Sequence, residues 1–307
     1  MEVRIAGNPD REDEITTDFT PAELARRATA AGTPVSPGPV ARWLEELAVR
    51  LRGIAKTIAG GHSPDREKQF EQIAELTGEF RRAGDPYFSI DTKAKEHLGR
   101  MYRKGRSYRS SPAEAFDHDF PSWADAVVIP HGIYDPLRNL GHVNLGLSHD
   151  TSEFACESLW RFWRDYGRRR YPGAERMLIL CDCGGSNPAG KYLFKWDLQN
   201  LVDRIDLPIR VTHYPSYCGK YNPIERRFFP HLGRACTGQL FTGIGRVVEL
   251  MRRAATAEGL RTTVRVIDRM YAIGRKATEA MRDSLNISYH DVIPKWNYTL
   301  SPRSAIN

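Results

Sequence analysis

The chain has 307 residues, enough for about two domains of ordinary size, and 41% of them are hydrophobic. This composition excludes a disordered chain, and no apolar run approaches the roughly 18 residues that a membrane span requires. The N-terminal stretch MEVRIAGNPDREDE is acidic and lacks the apolar segment of a secretion signal, so we expect a cytoplasmic protein. Five cysteines, an odd number, argue against a disulfide framework.

The net charge of +7 is distributed unevenly along the chain. Residues 1–85 contain 12 basic and 15 acidic side chains, whereas residues 86–307 contain 33 basic and 23 acidic ones, a net charge of +10. A basic excess of this kind suits a polyanionic partner, and nucleic acid is the commonest one. Many solvated protein surfaces are also basic, so charge permits nucleic-acid binding without requiring it.

The first 58 residues have the pattern of two short helices. In TPAELARRATAAG, Thr20 is a predicted N-cap, Pro21 the first helical residue and Gly32 the stop. The segment VARWLEELAVRL repeats the amphipathic pattern after a proline-rich break. Such a pair is compatible with a helix-turn-helix DNA reader and equally with an ordinary helical hairpin. We predict a small all-α helix-turn-helix-like module at residues 1–58, followed by a connector helix at residues 59–85.

From residue 86 onward, predicted strands and helices alternate. Segments rich in apolar and β-branched residues predict five strands: PYFSIDTK, AVVIPHGIYD, HVNLGLSHD, RMLILCD and LPIRVTHYP. Amphipathic helices follow the third and fourth strands, and Asp150 with Glu153 is predicted to cap the first of them. The order β-β-β-α-β-α-β-α predicts an α/β domain over residues 86–307, with a ribonuclease-H-like mixed sheet flanked by helices.

Three acids stand at positions that suit metal-dependent chemistry. Asp91 ends the first strand and Asp182 follows the fourth, and working residues of open α/β sheets lie at the carboxyl ends of strands. Glu225 lies in KYNPIERRFF, where Asn222 is a predicted N-cap, Pro223 starts a helix and Glu225 completes a capping-box-like arrangement. Three carboxylates suffice for the two Mg²⁺ ions of phosphodiester chemistry. Each acid alone also fits a solvated loop or a helix cap.

Cysteine and histidine side chains raise the alternative of a zinc site. Cys181, Cys183, Cys218 and His213 supply the thiolate and imidazole groups that zinc prefers. The usual C-x-x-C spacing is absent, so buried unreactive cysteines are the simpler interpretation.

Other polar side chains near these motifs have simpler interpretations than catalysis. His149 and Asp150 could add a metal ligand, but Asp150 is already explained as a helix cap. Asp117 and Asp119 are predicted to lie in a solvated loop. Five cations flank the acid motifs and fit phosphate contacts as well as ordinary surface charge. They are Lys93, Lys95, Lys220, Arg226 and Arg227.

Seven segments resemble, in the same order, the ISAzo-type (Rhodopirellula-type) DDE transposase family, relatives of the mariner-like transposases. They are SIDTKAKEHLG, IPHGIYD, LSHDTSEFACES, LCDCGGSN, LQNLVDRIDLPIRVTHYP, GKYNPIERRFF and KWNYTLSPR, within Gly60 to Arg303. The resemblance implies that Asp91, Asp182 and Glu225 are the catalytic triad and bind two Mg²⁺ or Mn²⁺ ions. It also implies cleavage of transposon ends, strand transfer into target DNA, and a dimer or higher oligomer on double-stranded DNA.

Two features depart from the family pattern. Cys181 and Cys183 flank Asp182 where the family more usually has small residues, and the N-terminal region is shorter than the family's DNA-binding region. Two other hypotheses stay open, and the short N-terminal region bears on the second. One is a ribonuclease-H-like nuclease without strand transfer, and the other is a truncated transposase that only binds DNA.

Overall fold

A computed structural model describes residues 6–8, 11–17, 19–52, 65–182, 184, 189–216 and 218–303. The chain divides into two compact units, Met1–Ile58 and Ala59–Asn307. No helix among the described residues has the length and apolar character needed to cross a membrane.

The first unit contains a β-hairpin and two helices. Strands β1 (Ala6–Asn8) and β2 (Arg11–Thr16) pair antiparallel. Helix α1 (Pro21–Ala30) begins after Thr20, whose hydroxyl accepts a hydrogen bond from the backbone N–H of Glu23, and α2 (Pro37–Glu46) follows it. The helices agree with the sequence prediction, and the hairpin is an addition to the predicted all-α module. The charged segment REDEIT has none of the apolar alternation that marks a half-buried strand.

The second unit is built on a nine-stranded mixed sheet with the order β10-β11-β8-β7-β3-β5-β6-β9, and β4 pairs with β5. The strands are β3 (Tyr87–Thr92), β4 (Glu96–His97), β5 (Val127–Asp135), β6 (Leu140–Gly146), β7 (Met177–Cys181), β8 (Ile209–His213), β9 (Arg261–Ile267), β10 (Ile287–Tyr289) and β11 (Asn297–Leu300).

The central strands have the predicted ribonuclease-H-like arrangement. Strands β3, β5 and β6 follow one another antiparallel, and β7 and β8 then add in parallel on the other side of β3. The chain reaches these parallel strands through helical crossovers, as parallel pairing requires. The predicted fold class of the second unit, a mixed sheet flanked by helices, is therefore confirmed.

Helices cover the sheet and enclose its core. They are α3 (Arg66–Ala83), α4 (Ser152–Phe162), α5 (Arg168–Arg170), α6 (Tyr192–Ile205), α7 (Pro223–Arg227), α8 (Phe229–Ala235), α9 (Ile244–Arg252) and α10 (Glu279–Asp283), with a π-helical turn at Trp163–Gly167 between α4 and α5. Phe88 and Ile90 of β3 pack in one core cluster with α4 and α6, whereas Tyr87 packs with α3 in another. Because side chains alternate along a strand, Asp91 shares the face of Tyr87.

The predicted cap of α4 is wrong. Thr151 occupies the N-cap position, and its hydroxyl accepts a hydrogen bond from the backbone N–H of Phe154 at 3.2 Å. Asp150 instead accepts a hydrogen bond from the Thr92 hydroxyl at 3.2 Å. Since the helix starts at Ser152, Asp150 lies one residue too early to cap it, and its carboxylate is directed toward β3.

Candidate active site

Asp91 and Asp182 lie on neighbouring parallel strands at the same level of the sheet. The register between β3 and β7 pairs Tyr87 with Leu178 and Ser89 with Leu180. Continued by two residues, this register sets Asp91 opposite Asp182. Both acids therefore lie at the same edge of the sheet, at the carboxyl ends of two neighbouring parallel strands.

Glu225 reaches this edge because helix α7 packs tightly on the sheet. Gly132 of β5 is the ladder partner of Asp91. A Cβ atom at Gly132 would lie only 2.8 Å from Ile224 and 2.5 Å from Phe229, so the glycine lets the two large side chains approach the strand. Close packing over Gly132 thus brings the start of α7 to the position beside Asp91.

A buried polar contact fixes the start of α7 against β3. The hydroxyl of Ser89 donates to the side-chain oxygen of Asn222 and accepts from the backbone N–H of Ile224 at 2.9 Å. The amide of Asn222 also donates to the Ile90 carbonyl at 3.1 Å. Asn222 holds the N-cap position and Pro223 starts the helix, as predicted, but the Asn222 side chain does not cap it. The prediction of a capping box is therefore wrong, because this side chain bonds to the neighbouring strand.

The three acids interact electrostatically. Burial, followed by the negative charges of Asp182 and Glu225, raises the pKa of Asp91 to about 8. Burial also raises the pKa of Glu225, with the charge of Asp182 acting in the same direction. A hydrogen bond between the carboxyl groups of Asp91 and Glu225 also raises the pKa of Asp91 and lowers that of Glu225, and such a bond requires a proton on one of the two groups.

Asp182 is held at the end of β7 by its backbone and by the turn that follows. Its carboxylate accepts a hydrogen bond from the Gly184 N–H at 3.0 Å, and its carbonyl oxygen accepts one from His213 Nδ1 at 3.0 Å. His213 is fully buried, and burial lowers its pKa to about 4, so the imidazole is neutral. The other ring nitrogen lies 3.1 Å from the Tyr298 hydroxyl. His213 therefore supports the Asp182 backbone.

The zinc alternative gains no support from the described residues. Among them, no group of three His, Cys, Asp or Glu side chains is arranged as a metal-binding cluster. Cys181 and Cys218 are buried, the sulfur of Cys181 lies 3.3 Å from His213 Nδ1, and Cys183 lies outside the described residues. Asp91, Asp182 and Glu225 do not form such a cluster either. Their proximity therefore rests on their mutual charge effects and on the shared hydrogen bond.

The five predicted phosphate contacts differ in their surroundings. Lys93 pairs with Glu96, and its charge lowers the pKa of Glu225. Arg227 is exposed, and its charge opposes the rise that burial causes in the pKa of Tyr134. The other three, Lys95, Lys220 and Arg226, are exposed. Only Lys93 is thus directed at the acids by an observed interaction.

The other polar residues singled out in the sequence stay outside the acid cluster. Asp117 and Asp119 are exposed in a loop, as predicted, and Asp119 accepts a hydrogen bond from the Tyr102 N–H at 3.1 Å. Ser89, Gly132 and His213 support the acids but were not predicted to do so. Ser89 could have been identified from the sequence, because it is a polar residue within an otherwise apolar strand and lies two residues before Asp91, on the same side of the strand.

Comparison with known proteins identifies the family. The family model of the Rhodopirellula transposase DDE domain matches residues 1–302. The chain belongs to this transposase family. The predicted family is confirmed, and the predicted enzyme class, a metal-dependent DNA transposase, is that of the family. A comparison with curated proteins gave no match.

Three structures of the Mos1 transposase are similar to this member of the family. The paired-end complex with the left transposon end has a TM-score of 0.45 and 16% identity, over 78% of this chain and 66% of the Mos1 chain. The strand transfer complex has a TM-score of 0.46 and 16% identity, over 78% and 65%. The mariner Mos1 paired-end complex with Mg has a TM-score of 0.46 and 15% identity, over 80% and 71%. The chain thus spans just under two thirds of the length of the first two Mos1 chains.

Proposed function

We propose that the chain is a DDE transposase that cleaves transposon-end DNA and transfers the freed 3′ end to target DNA. The observation that carries this proposal is the interaction of Asp91, Asp182 and Glu225, three acids from separate parts of the chain. Membership of a transposase family supports DNA transposition as the reaction in which they act.

The donor set of the site fits divalent cations. All three groups are carboxylates, which suit the hard cations Mg²⁺ and Mn²⁺ better than thiolate-preferring metals. A pKa of about 8 means that ionisation of Asp91 is unfavourable in the folded protein, and a bound dication would stabilise the ionised carboxylate. We therefore propose Asp91, Asp182 and Glu225 as the ligands of two Mg²⁺ or Mn²⁺ ions. When bound, such ions activate the attacking water or 3′ hydroxyl and stabilise the leaving oxygen.

The remaining roles fall to groups around the acids. Asp91 and Glu225 would release their shared proton when a cation binds, because ligating carboxylates must be ionised. Lys93 favours the ionised form of Glu225. We propose Lys95, Lys220, Arg226 and Arg227, with Lys93, as phosphate contacts that orient double-stranded DNA.

The organisation of the chain completes the proposal. Residues 1–58 would read transposon ends, residues 59–85 would connect, and residues 86–307 would carry out the chemistry. The resemblance to mariner-like transposases supports a dimer or higher oligomer on DNA, in the cytoplasm and associated with the nucleoid.

A cleavage assay on DNA that carries the element's terminal inverted repeats tests the proposal. With Mg²⁺, the parent should nick the ends, and Asp182→Asn should be slower by about 10³-fold or more, which corresponds to about 4 kcal/mol of lost transition-state stabilisation. Asp117→Asn, which removes an exposed carboxylate in a loop, should leave the rate unchanged. Equal rates for Asp182→Asn and the parent would refute the mechanism.

Product analysis separates the alternatives. Joined products with target DNA indicate a transposase, and nicks without joined products indicate a ribonuclease-H-like nuclease. Binding without either product indicates a remnant that only binds DNA.

A further inference from the structure

A cleft of about 660 Å³ lies at the edge of the sheet where β3 ends. It is bordered by the starts of α4 and α6 and by the segment 272–282, which leads from β9 into α10. Asp150 forms one side of the cleft and accepts the hydrogen bond from Thr92, the residue that follows Asp91. Thr92 is the last residue of β3, so the cleft lies at the same edge of the sheet as the acids, on the side of α4 and α6.

Unpaired cations line this cleft. Lys191, Lys276 and Arg282 are exposed there, and within the part of the chain that the structure describes they form no ion pair. Arg275 differs, because Asp197 binds it at 2.8 Å and Glu153 at 3.1 Å. Three cations that form no ion pair with any described residue thus line one opening.

The cleft also offers surface that is not charged. Ile273 is 69% exposed, and the Arg282 guanidinium lies 5.0 Å from the ring of Tyr192. Exposed apolar and aromatic groups next to free cations suit a polymer whose charged phosphates alternate with less polar sugars.

We propose that this cleft binds the sugar–phosphate backbone of the DNA strand whose scissile bond lies at the carboxylates. The inference rests on the proposed function and adds which surface of the chain engages DNA. The cleft cations are better placed for this role than Lys93, whose ammonium group already pairs with Glu96. Phosphate binding here is independent of base sequence, because it reads the backbone alone.

The salt dependence of binding tests the cleft separately from the chemistry. The full chain is titrated against a short fluorescein-labelled duplex of arbitrary sequence, in EDTA, at salt concentrations from about 50 to 200 mM. Each phosphate contact contributes about 0.9 to the slope of log K against log salt. Lys276→Ala/Arg282→Ala should therefore reduce this slope by about 1.8.

A charge-matched control removes two arginines of α5, which follows the other end of α4. Arg168 and Arg169 are exposed there, and Arg168→Ala/Arg169→Ala should keep the parent slope. The conservative variant Lys276→Arg/Arg282→Lys should also keep it, with circular dichroism confirming that every variant is folded.

Two results would refute the proposal that the cleft binds DNA. One is an equal slope for the cleft variant and the control, and the other is a parent that does not bind duplex DNA. Because EDTA prevents cleavage, failure of the cleft and failure of the proposed function are distinguishable. If the parent cleaves DNA but the cleft variant keeps the parent slope, only the proposed role of the cleft is refuted. If the cleft variant has the smaller slope but the parent does not cleave DNA with Mg²⁺, only the proposed cleavage function is refuted.

Discussion

Asp91 of strand β3 and Glu225 of helix α7 lie close enough for a hydrogen bond between their carboxyl groups to act on the pKa of both. Two carboxyl groups can bond in this way only when one of them holds a proton, so the metal-free site is partly protonated near neutral pH. Removing that proton leaves charges of the same sign close together in a half-buried place. The first two predictions follow from this relationship.

Without metal, Asp91 should make the protein less stable as the pH rises. Its pKa is about 8 in the folded protein and about 3.9 in an unfolded chain, so between these values the folded state binds more protons. Stability from this group is present below about pH 4 and is lost as the pH rises toward 8. Asp91→Asn imitates the protonated form and should be more stable than the parent near pH 8, by on the order of 2 kcal/mol.

Thermal unfolding in EDTA at several pH values measures this difference. The buried histidines, whose pKa is lowered, favour stability at higher pH in both proteins, so only the difference between variant and parent reports on Asp91. A difference that stays constant from pH 5 to pH 8 contradicts the raised pKa.

Divalent cations should reverse this loss of stability. A ligand that binds only the folded state stabilises it by about 2.7 kcal/mol at 100 times its dissociation constant. Mg²⁺ or Mn²⁺ should therefore raise the unfolding midpoint of the parent by several degrees, and more at pH 8 than at pH 6, because protons compete for Asp91 and Glu225.

Asp182→Asn should lose most of this shift, whereas Asp117→Asn should show all of it. Differential scanning fluorimetry with the chloride salts of both metals measures the effect without any reaction. A full shift in Asp182→Asn would remove that residue from the ligand set.

Ser89→Ala tests whether the buried contact at the start of α7 positions Glu225. The substitution leaves the Asn222 oxygen and the Ile224 N–H without their partner, which should cost about 2 to 4 kcal/mol. If the contact positions Glu225, the stabilisation by Mg²⁺ should fall as well. Ser284→Ala, an exposed serine, is the matched control and should change neither quantity. A destabilised Ser89→Ala protein with the full Mg²⁺ shift would limit the contact to a structural role.

Local sequence patterns predicted much of the fold because strand and helix periodicity depend on neighbouring residues. The five central strands, their order along the chain and the helices between them were predictable in this way. Strand β9, RTTVRVI, was not predicted, since its arginines and threonines interrupt the apolar pattern, and β10 and β11 have only three and four residues.

The three acids of the site could be predicted from the sequence, but the contacts that hold them in place could not. Asp91 and Asp182 could be predicted as site residues because working residues of open α/β sheets lie at the carboxyl ends of strands. The resemblance to the transposase family added Glu225 to them. The side chain of Asn222 could not be placed from its local signal, because its partner Ser89 is 133 positions away. A local pattern shows where a helix can start, but not which distant strand competes for its capping side chain.

Gly132→Ala tests the packing that brings Glu225 to the acids. The added methyl group would meet the side-chain ends of Ile224 and Phe229 at less than van der Waals distance, and because both are buried we expect α7 and α8 to shift away from β5. We expect a loss of about 1 to 3 kcal/mol of stability from overpacking. Movement of α7 should also weaken the Asp91–Glu225 hydrogen bond, so both the pH-dependent effect of Asp91→Asn and the Mg²⁺ shift should decrease in this background.

Gly173→Ala is the control for this substitution, because no atom lies within 4 Å of a Cβ atom at that position. It should change stability by no more than about 0.5 kcal/mol and keep the full Mg²⁺ shift. If Gly132→Ala behaved like Gly173→Ala in both measurements, close packing of α7 on β5 would not set the position of Glu225. The Ser89–Asn222 contact would then have to hold the helix alone.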